Sequence, residues 1–291
     1  MWGVPGRWEG SHVARKRIGL ALGGGVAKGL AHIGVIKALM ELNVPVDCVA
    51  GTSSGSIVGA FLAAGMGPDE MRAIGRRTRW RDVVRPVVPR NGLLDSSRLE
   101  KQLIAIMGDR LIEDLVLPFA AIATDIQAAR EVVITSGPVA RAVRASCSIP
   151  GFFTPVEIDG RLLVDGGVID NVPVGVARSL GADLVIAVDL TTRPDATSFS
   201  PGIFGIMLRA YEILLHEKRL QEVRGADVLV RPRVEHLGPV KIEAADEYIK
   251  AGWEATMGQR DLLADLMEKA RIRPLLRYLD PRTWGWSQAR R

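Results

Sequence analysis

The sequence predicts an α/β fold in which a central, mostly parallel sheet is flanked by helices. Two stretches carry that prediction. Ile18–Leu22 is a strand-length apolar run that passes through a glycine loop into a helical pattern, and Val44–Ala50 repeats the order of strand, tight turn and helix. β-Loop-α units this short set their strands side by side and parallel, with the helices on the sheet faces. The 291 residues, 47% hydrophobic and 24% charged, have an ordinary globular composition that allows one large domain or two small ones.

In the first unit, Gly23-Gly24-Gly25-Val26-Ala27-Lys28-Gly29 follows the strand, and Leu30, Ile33, Val35, Ile36 and Leu39 then recur at helical spacing up to about Leu42. Strand, glycine loop and helix together make an anion-holding device, because amides without intervening side chains can converge on one oxygen. A nucleotide loop fails on detail. G-x-x-x-x-G-K-[ST] is absent, and G-x-G-x-x-G would need glycine where Lys28 stands. Lys28 reads as electrostatic support for the loop, and His32 on the following helix as structural.

The second unit turns through Gly51-Thr52-Ser53-Ser54-Gly55, a G-x-S-x-G pattern, into a helix carrying Ile57, Val58, Phe61 and Leu62 that Gly65-Met66-Gly67-Pro68 stops. A serine on a strained strand-to-helix turn needs almost no side chain two residues either side, and the strain exposes its hydroxyl. Amides of the first helical turn add partial positive charge beside it. Small residues for tight helix–strand packing would spell the same letters. The glycine loop and this elbow are expected at the carboxyl ends of neighbouring strands, where sites form in α/β sheets.

Further along, Ser96–Met107 predicts a helix, Phe119–Thr124 a strand ending at Asp125, and Arg130–Ile134 a partner for it. Val139–Ser146 predicts a short helix, and Val156–Val164 a hairpin turning at Asp159-Gly160. The hairpin runs into Asp165-Gly166-Gly167, which presents a carboxylate on a tight turn, although Asp-Gly turn chemistry alone would also explain it. Leu184–Asp189 and Asp227–Val230 predict strands, Ile203–Val223 a long helix and Ile242–Met267 a last one. No interior linker divides the chain.

The net charge of +5 is unevenly spread, with +3 in residues 1–17 and +5 in 271–291, which leaves the middle at −3. Trp2, Trp8, Trp284 and Trp286 lie in these tails, and residues 76–90 carry Arg76, Arg77, Arg79, Arg81, Arg85 and Arg90 around Trp80. Basic segments with tryptophan suit an anionic membrane surface; they also fit solvated ends and a solvated helix face. No nucleic-acid recognition motif accompanies them. No apolar run is long enough to span a bilayer, and the N-terminus has no apolar leader, so a cytoplasmic protein, at most peripheral at the inner membrane face, is expected. Cys48 and Cys147 lack C-x-x-C or metal-ligand spacing and read as reduced, buried fillers. Neither metal nor cofactor is expected.

An activated serine needs a base, usually a histidine held by a carboxylate. His12 belongs to the tail, His32 and His216 to helices, and His236 has the order of a triad member without an exposed-turn context. Asp165 has that context. A carboxylate within hydrogen-bond reach could take the serine proton directly, and poor solvation would raise its basicity.

The glycine loop Gly23–Gly29, the elbow Gly51–Gly55 and Asp165-Gly166-Gly167, with Ser148-Ile149-Pro150-Gly151 and Asn171-Val172-Pro173, together resemble the patatin-like phospholipase family. The flanking Ser148-Ile149-Pro150-Gly151 and Asn171-Val172-Pro173 segments resemble its bacterial members, which are related to the catalytic domain of neuropathy target esterase. The match runs from about Ile18 to Leu190. It implies a three-layer α/β/α fold, Ser53 as nucleophile, Asp165 as general base and Gly23, Gly24 and Gly25 as oxyanion hole, with Gly51, Gly55, Lys28, Gly166 and Gly167 in support. The family more often has alanine where Ser54 stands. The implied layout is a basic tail at 1–17, a catalytic domain at 18–270 (motif core 18–190, helical C-terminal part 203–268) and a second basic tail at 271–291. The implied activity is hydrolysis of fatty-acyl esters, phospholipid or lysophospholipid, through an acyl-serine. An acyltransferase using the same acyl-serine, a membrane-associated regulatory protein with a vestigial site and a Ser-His-Asp hydrolase using His236 are the alternatives.

Overall fold

The computed structural model describes residues 15–88, 91–192, 201–237 and 240–272. The tryptophans of both tails, His12 and Arg90 lie outside the described residues. The chain alternates strands and helices: β1 (Ile18–Leu22), α1 (Ala31–Glu41), β2 (Cys48–Thr52), α2 (Ser54–Ala63), α3 (Pro68–Arg77), the single turn α4 (Trp80–Val83) and the two-residue strands β3 (Arg85–Pro86) and β4 (Leu94–Asp95). Then come α5 (Ser97–Met107), β5 (Phe119–Asp125), β6 (Arg130–Ile134), α6 (Val139–Ser146), β7 (Val156–Ile158) and β8 (Arg161–Asp165). The chain continues through α7 (Val174–Ser179), β9 (Leu184–Val188), α8 (Ile203–Glu222), β10 (Val228–Val230), α9 (Ala245–Met257) and α10 (Arg260–Lys269).

The main sheet has eight strands in the order β10-β9-β1-β2-β5-β8-β7, with β6 also on β5. From β10 to β5 every pairing is parallel; β5–β6, β5–β8 and β7–β8 are antiparallel. The parallel strands are apolar on both faces because both are covered. Ile18, Leu20 and Leu22 of β1, Ile186 and Val188 of β9 and Phe119 of β5 join the core that also holds Val35, Leu39, Phe61, Leu103 and Tyr248. The opposite face presents Ala21, Ala50, Ala120 and Ala187 to Val174, Val176 and Ala177 of α7. Small residues there let α7 lie close: a side chain at Gly19 would reach within 2.6 Å of the Ala182 methyl. The expected three-layer α/β/α arrangement is therefore present.

One register decides where the site forms. β2 pairs with β5 from Val49–Phe119 to Thr52–Ile122, and β8 takes up β5 at Ala123, opposite Asp165. Because β6 spans Ala121–Asp125 on the other edge, β2 and β8 share one edge of β5 and meet there end to end. The residue after Thr52 is Ser53. The elbow and the carboxylate thus arrive at the same point from opposite directions.

Three expectations need adjustment. The second strand starts at Cys48 rather than Val44, since Pro45 has no N–H for a central ladder; Asp47 instead caps the strand start by accepting the Ile18 amide at 2.8 Å. The final helix is two helices, α9 and α10, interrupted at Gly258-Gln259. Glycine is a poor helix former, and the Gln259 side chain donates through Nε2 to the Leu229 carbonyl at 2.8 Å, tying the turn to β10. Residues 15–17, assigned to the basic tail, are anchored: Arg15 forms a two-bond pair with Asp47 at 2.6 and 2.8 Å, and the Lys16 amide bonds the Ala270 carbonyl at 3.1 Å.

Candidate active site

Ser53 joins β2 to α2 with φ 52° and ψ −126°, a left-handed conformation strained for any residue with a side chain. The strain is held from several sides. The Ser53 amide donates to Ser146 Oγ at 2.9 Å, and Ser56 Oγ donates to the Ser53 carbonyl at 2.6 Å. Gly51 and Gly55 face each other across the turn, and a side chain on Gly55 would overlap the Leu22 carbonyl. The neighbouring Ser54 hydroxyl is buried without a hydrogen-bond partner among the described residues, its Cβ pressed against Gly29. That leaves Ser53 as the elbow hydroxyl facing the chamber beside Gly24 and Gly25.

Asp165 is fully buried at the end of β8. Its amide donates to the Ser148 carbonyl at 2.8 Å. Its two oxygens differ. Oδ1 accepts the Gly167 amide at 2.8 Å and the Tyr211 hydroxyl at 3.0 Å, whereas Oδ2 has no hydrogen-bond partner among the described residues. Burial pushes the Asp165 pKa up to about 6, against the pull of the Ser53 hydroxyl, the Gly167 amide and the Tyr211 hydroxyl, which favour the ionised form. No hydrogen bond of standard length and angle joins the Ser53 hydroxyl to Asp165 among the described residues, as is common before substrate tightens a site. Gly166 is required by contact: a side chain there would overlap the Ile122 carbonyl.

The three loop glycines are not equivalent. The Gly23 amide donates to the Val188 carbonyl at 3.0 Å and the Gly24 amide to the Asn171 carbonyl at 3.1 Å. Of the three, only the Gly25 amide is without a partner among the described residues. Gly24 serves by its lack of side chain, since a Cβ would lie 3.2 Å from that of Ser53 and 2.5 Å from Asn171 Oδ1. At the start of α2 the Ser56 and Ile57 amides donate to the Ser53 carbonyl at 2.8 and 3.4 Å, which leaves the Ser54 amide, next to the nucleophile, as a first-turn donor without an intrahelical acceptor. His32 fixes the loop from behind, its Nε2 donating to the Gly23 carbonyl at 2.7 Å, and burial lowers its pKa to about 4, so the ring is neutral. Lys28 is buried in the chamber wall, 2.9 Å from Thr192 Oγ1 and 3.8 Å from Glu212. Burial lowers its pKa and Glu212 opposes the shift.

Ser53 stands between two cavities. A small chamber of about 30 Å³, the more polar of the two, is lined by Gly24, Gly25, Lys28, Asn171, Thr192, Tyr211 and Glu212 together with Ile149, Leu190, Leu208 and Leu215. On the other side an apolar cavity of about 170 Å³ runs along α2 past Ile57, Val58 and Phe61, with Met71, Leu103 and Trp80 in its walls. The geometry offers a hydroxyl, a buried carboxylate, unpartnered amides and an apolar compartment around one point. None of His32, His216 and His236 bonds Ser53 or Asp165. Cys147, a buried thiol as expected, lies against the elbow, and burial raises its pKa above the range of a reactive thiol. Tyr211, Ser146 and Lys218 carry no local sequence signature. Lys218 donates to the Val168 and Ile169 carbonyls at 2.9 and 2.6 Å, tying α8 to the turn that follows Asp165.

Comparison with known proteins bears on this site. A family model described as patatin-like phospholipase matches residues 20–178. Over 198 residues the chain is 39% identical to patatin-like phospholipase domain-containing protein 7 of Mus musculus, covering 65% of this chain and 15% of that protein. Over 177 residues it is 41% identical to an uncharacterized NTE family protein of Mycobacterium tuberculosis, covering 60% of this chain and 49% of that protein. The matched region is thus under half of each relative's length. Among solved structures, VipD from Legionella pneumophila shares the fold, with a TM-score of 0.52 and 15% identity over 86% of this chain and 67% of that chain. No helix among the described residues is long and apolar enough to cross a membrane.

Proposed function

The chain belongs to the patatin-like phospholipase family, and from that premise we propose that it is a serine lipid acyl hydrolase working through Ser53 and Asp165. The observation that carries this is the end-to-end meeting of β2 and β8 on one edge of β5, which brings the elbow serine and the buried carboxylate to one point. Ser53 Oγ attacks the ester carbonyl while Asp165, through its unpartnered Oδ2, accepts the hydroxyl proton. The Gly25 amide and the Ser54 amide at the start of α2 hold the oxyanion; one such donor contributes about 100- to 1,000-fold in rate. Asp165 returns the proton to the leaving alcohol, and water, deprotonated by the same carboxylate, then releases the acid and regenerates Ser53.

The apolar cavity along α2 suits the acyl chain, and the polar chamber with Lys28 and Thr192 suits the glycerol or headgroup side of the ester. Phospholipid or lysophospholipid is the substrate class, reached by contact of the arginine-bearing segment 76–90 and the basic tails with an anionic membrane. The test is mass-spectrometric identification of products from a mixed-lipid extract. Intact protein should release free fatty acid and Ser53→Ala should not, with the variant's melting temperature unchanged. Fatty acid release by the variant at a comparable rate would overturn the assignment.

A further inference from the structure

α8 has two unlike faces. Its inner face roofs the site: Leu208, Tyr211, Glu212 and Leu215 line the polar chamber, Tyr211 reaches Asp165, and Lys218 holds the following turn. Its outer face carries Ile203, Ile206, Ile213, Leu214 and Leu220, each 47–68% exposed. Their spacing keeps them on one stripe along the whole 20-residue helix. Ala210, Glu217 and Gln221 complete the stripe, so a single charge interrupts it. Five large aliphatic side chains in line form a contiguous apolar patch, which a monomer keeps only where something covers it.

The charge beside the stripe points to the occupant. The 150–153 turn packs under α8, where Met207 covers Gly151, and its Phe152 carbonyl accepts the Leu93 and Leu94 amides at 3.1 and 2.8 Å. Leu94–Asp95 in turn pairs with Arg85–Pro86. The exposed arginines of the segment 76–85, Arg76, Arg77, Arg79, Arg81 and Arg85, outnumber the carboxylates paired with them, Asp246, Asp82 and Asp95, and Trp80 in their midst lines the apolar cavity. Aliphatic side chains on a helix joined through the 150–153 turn to an arginine-rich segment match the acyl boundary and the phosphates of an anionic bilayer. A second copy docked through the same face would bring two arginine-rich segments together.

We propose that the outer face of α8 is the surface by which this protein seats on an anionic lipid bilayer, so that the helix roofing the site is also the one in contact with the lipid. The proposal rests on the lipid hydrolase reading for its purpose, but its test does not depend on turnover. Full-length Ser53→Ala protein, which leaves the lipid intact, is sedimented with vesicles of phosphatidylcholine and phosphatidylglycerol, alone and with Ile206→Asp/Leu214→Asp added. The paired change should weaken vesicle binding by about tenfold or more, while in the Ser53 background hydrolysis of soluble p-nitrophenyl butyrate stays within about twofold, since neither side chain lines the chamber.

A gain-of-signal arm covers a variant that folds poorly. An environment-sensitive dye on Leu214→Cys should shift to the blue on adding vesicles, and the same dye on Glu254→Cys should not. Cys48 and Cys147 are buried and stay unlabelled. Equal vesicle binding by the paired variant overturns the proposal. So does an unshifted dye, or a change in oligomeric state with vesicle binding intact, which would assign the face to a second copy. Loss of binding in a protein that hydrolyses no ester leaves the docking surface standing and removes the hydrolase reading instead.

Discussion

Tyr211→Phe removes one hydroxyl and nothing else from the site. That hydroxyl donates to Asp165 Oδ1 at 3.0 Å and favours the ionised carboxylate. A hydrogen bond to a charged group contributes about 1.5–3 kcal/mol, and one pKa unit corresponds to about 1.4 kcal/mol. Tyr211 is the weakest of the three groups that pull the Asp165 pKa down, the others being Ser53 and Gly167. Its loss should therefore raise the carboxyl by about one unit, the low end of that range. A general base works only when ionised, so the acid limb of kcat/KM, near pH 6 in the intact protein, should move to about pH 7 in the variant. Midway between the two limbs the variant should be about threefold slower, and above about pH 9 the two should converge. The assay is hydrolysis of p-nitrophenyl butyrate across pH, with melting temperatures recorded in parallel. An unmoved acid limb, or a loss of the same size at every pH, would refute the idea that Tyr211 tunes the base.

Asp165→Asn should abolish ester hydrolysis and also stabilise the fold at neutral pH. The native carboxyl, at about 6, sits above the ordinary 3.8, so the folded state holds its proton more tightly than the unfolded chain does. Burying the ionised form penalises folding progressively from about pH 4 to pH 6 and fully above that, by about 3 kcal/mol at most. Denaturant melts should show the variant gaining stability at about pH 8 and little at about pH 4; an equal gain at both would point to packing instead. Ile57→Phe fills the apolar cavity one turn beyond Ser53 and should lower kcat/KM for p-nitrophenyl laurate about tenfold relative to butyrate. An unchanged ratio would mean the acyl chain lies elsewhere.

The parts of the site were legible in the sequence because each has a short-range physical cause. Gly51 and Gly55 stand where the elbow leaves no room for a Cβ, and Asp165-Gly166-Gly167 marks a tight turn whose middle residue touches the Ile122 carbonyl. What brings the two together is long-range. That β8 takes up the edge of β5 where β2 leaves it is set by pairing partners remote in sequence, and no local pattern shows it. The same holds for the loop glycines: only the distant Val188 and Asn171 carbonyls occupy the Gly23 and Gly24 amides and single out Gly25. Tyr211 was invisible for a further reason. In the apolar repeat of α8 one aromatic residue looks like core, and its hydroxyl acquires meaning only when the helix lies over Asp165. The break between α9 and α10 was hidden likewise, since Gly258 fits a helical repeat and it is the Gln259 side-chain bond that ties the turn to β10.

The central claim is that the Ser53 hydroxyl, activated by Asp165, is the group that attacks. Treating the protein with a fluorophosphonate and mapping the adduct by peptide mass spectrometry tests it most directly. The expected adduct is on Ser53 and not on the adjacent Ser54, forming much more slowly in Asp165→Asn. An adduct on any other residue, or labelling of Ser53 at full rate without the carboxylate, would contradict it.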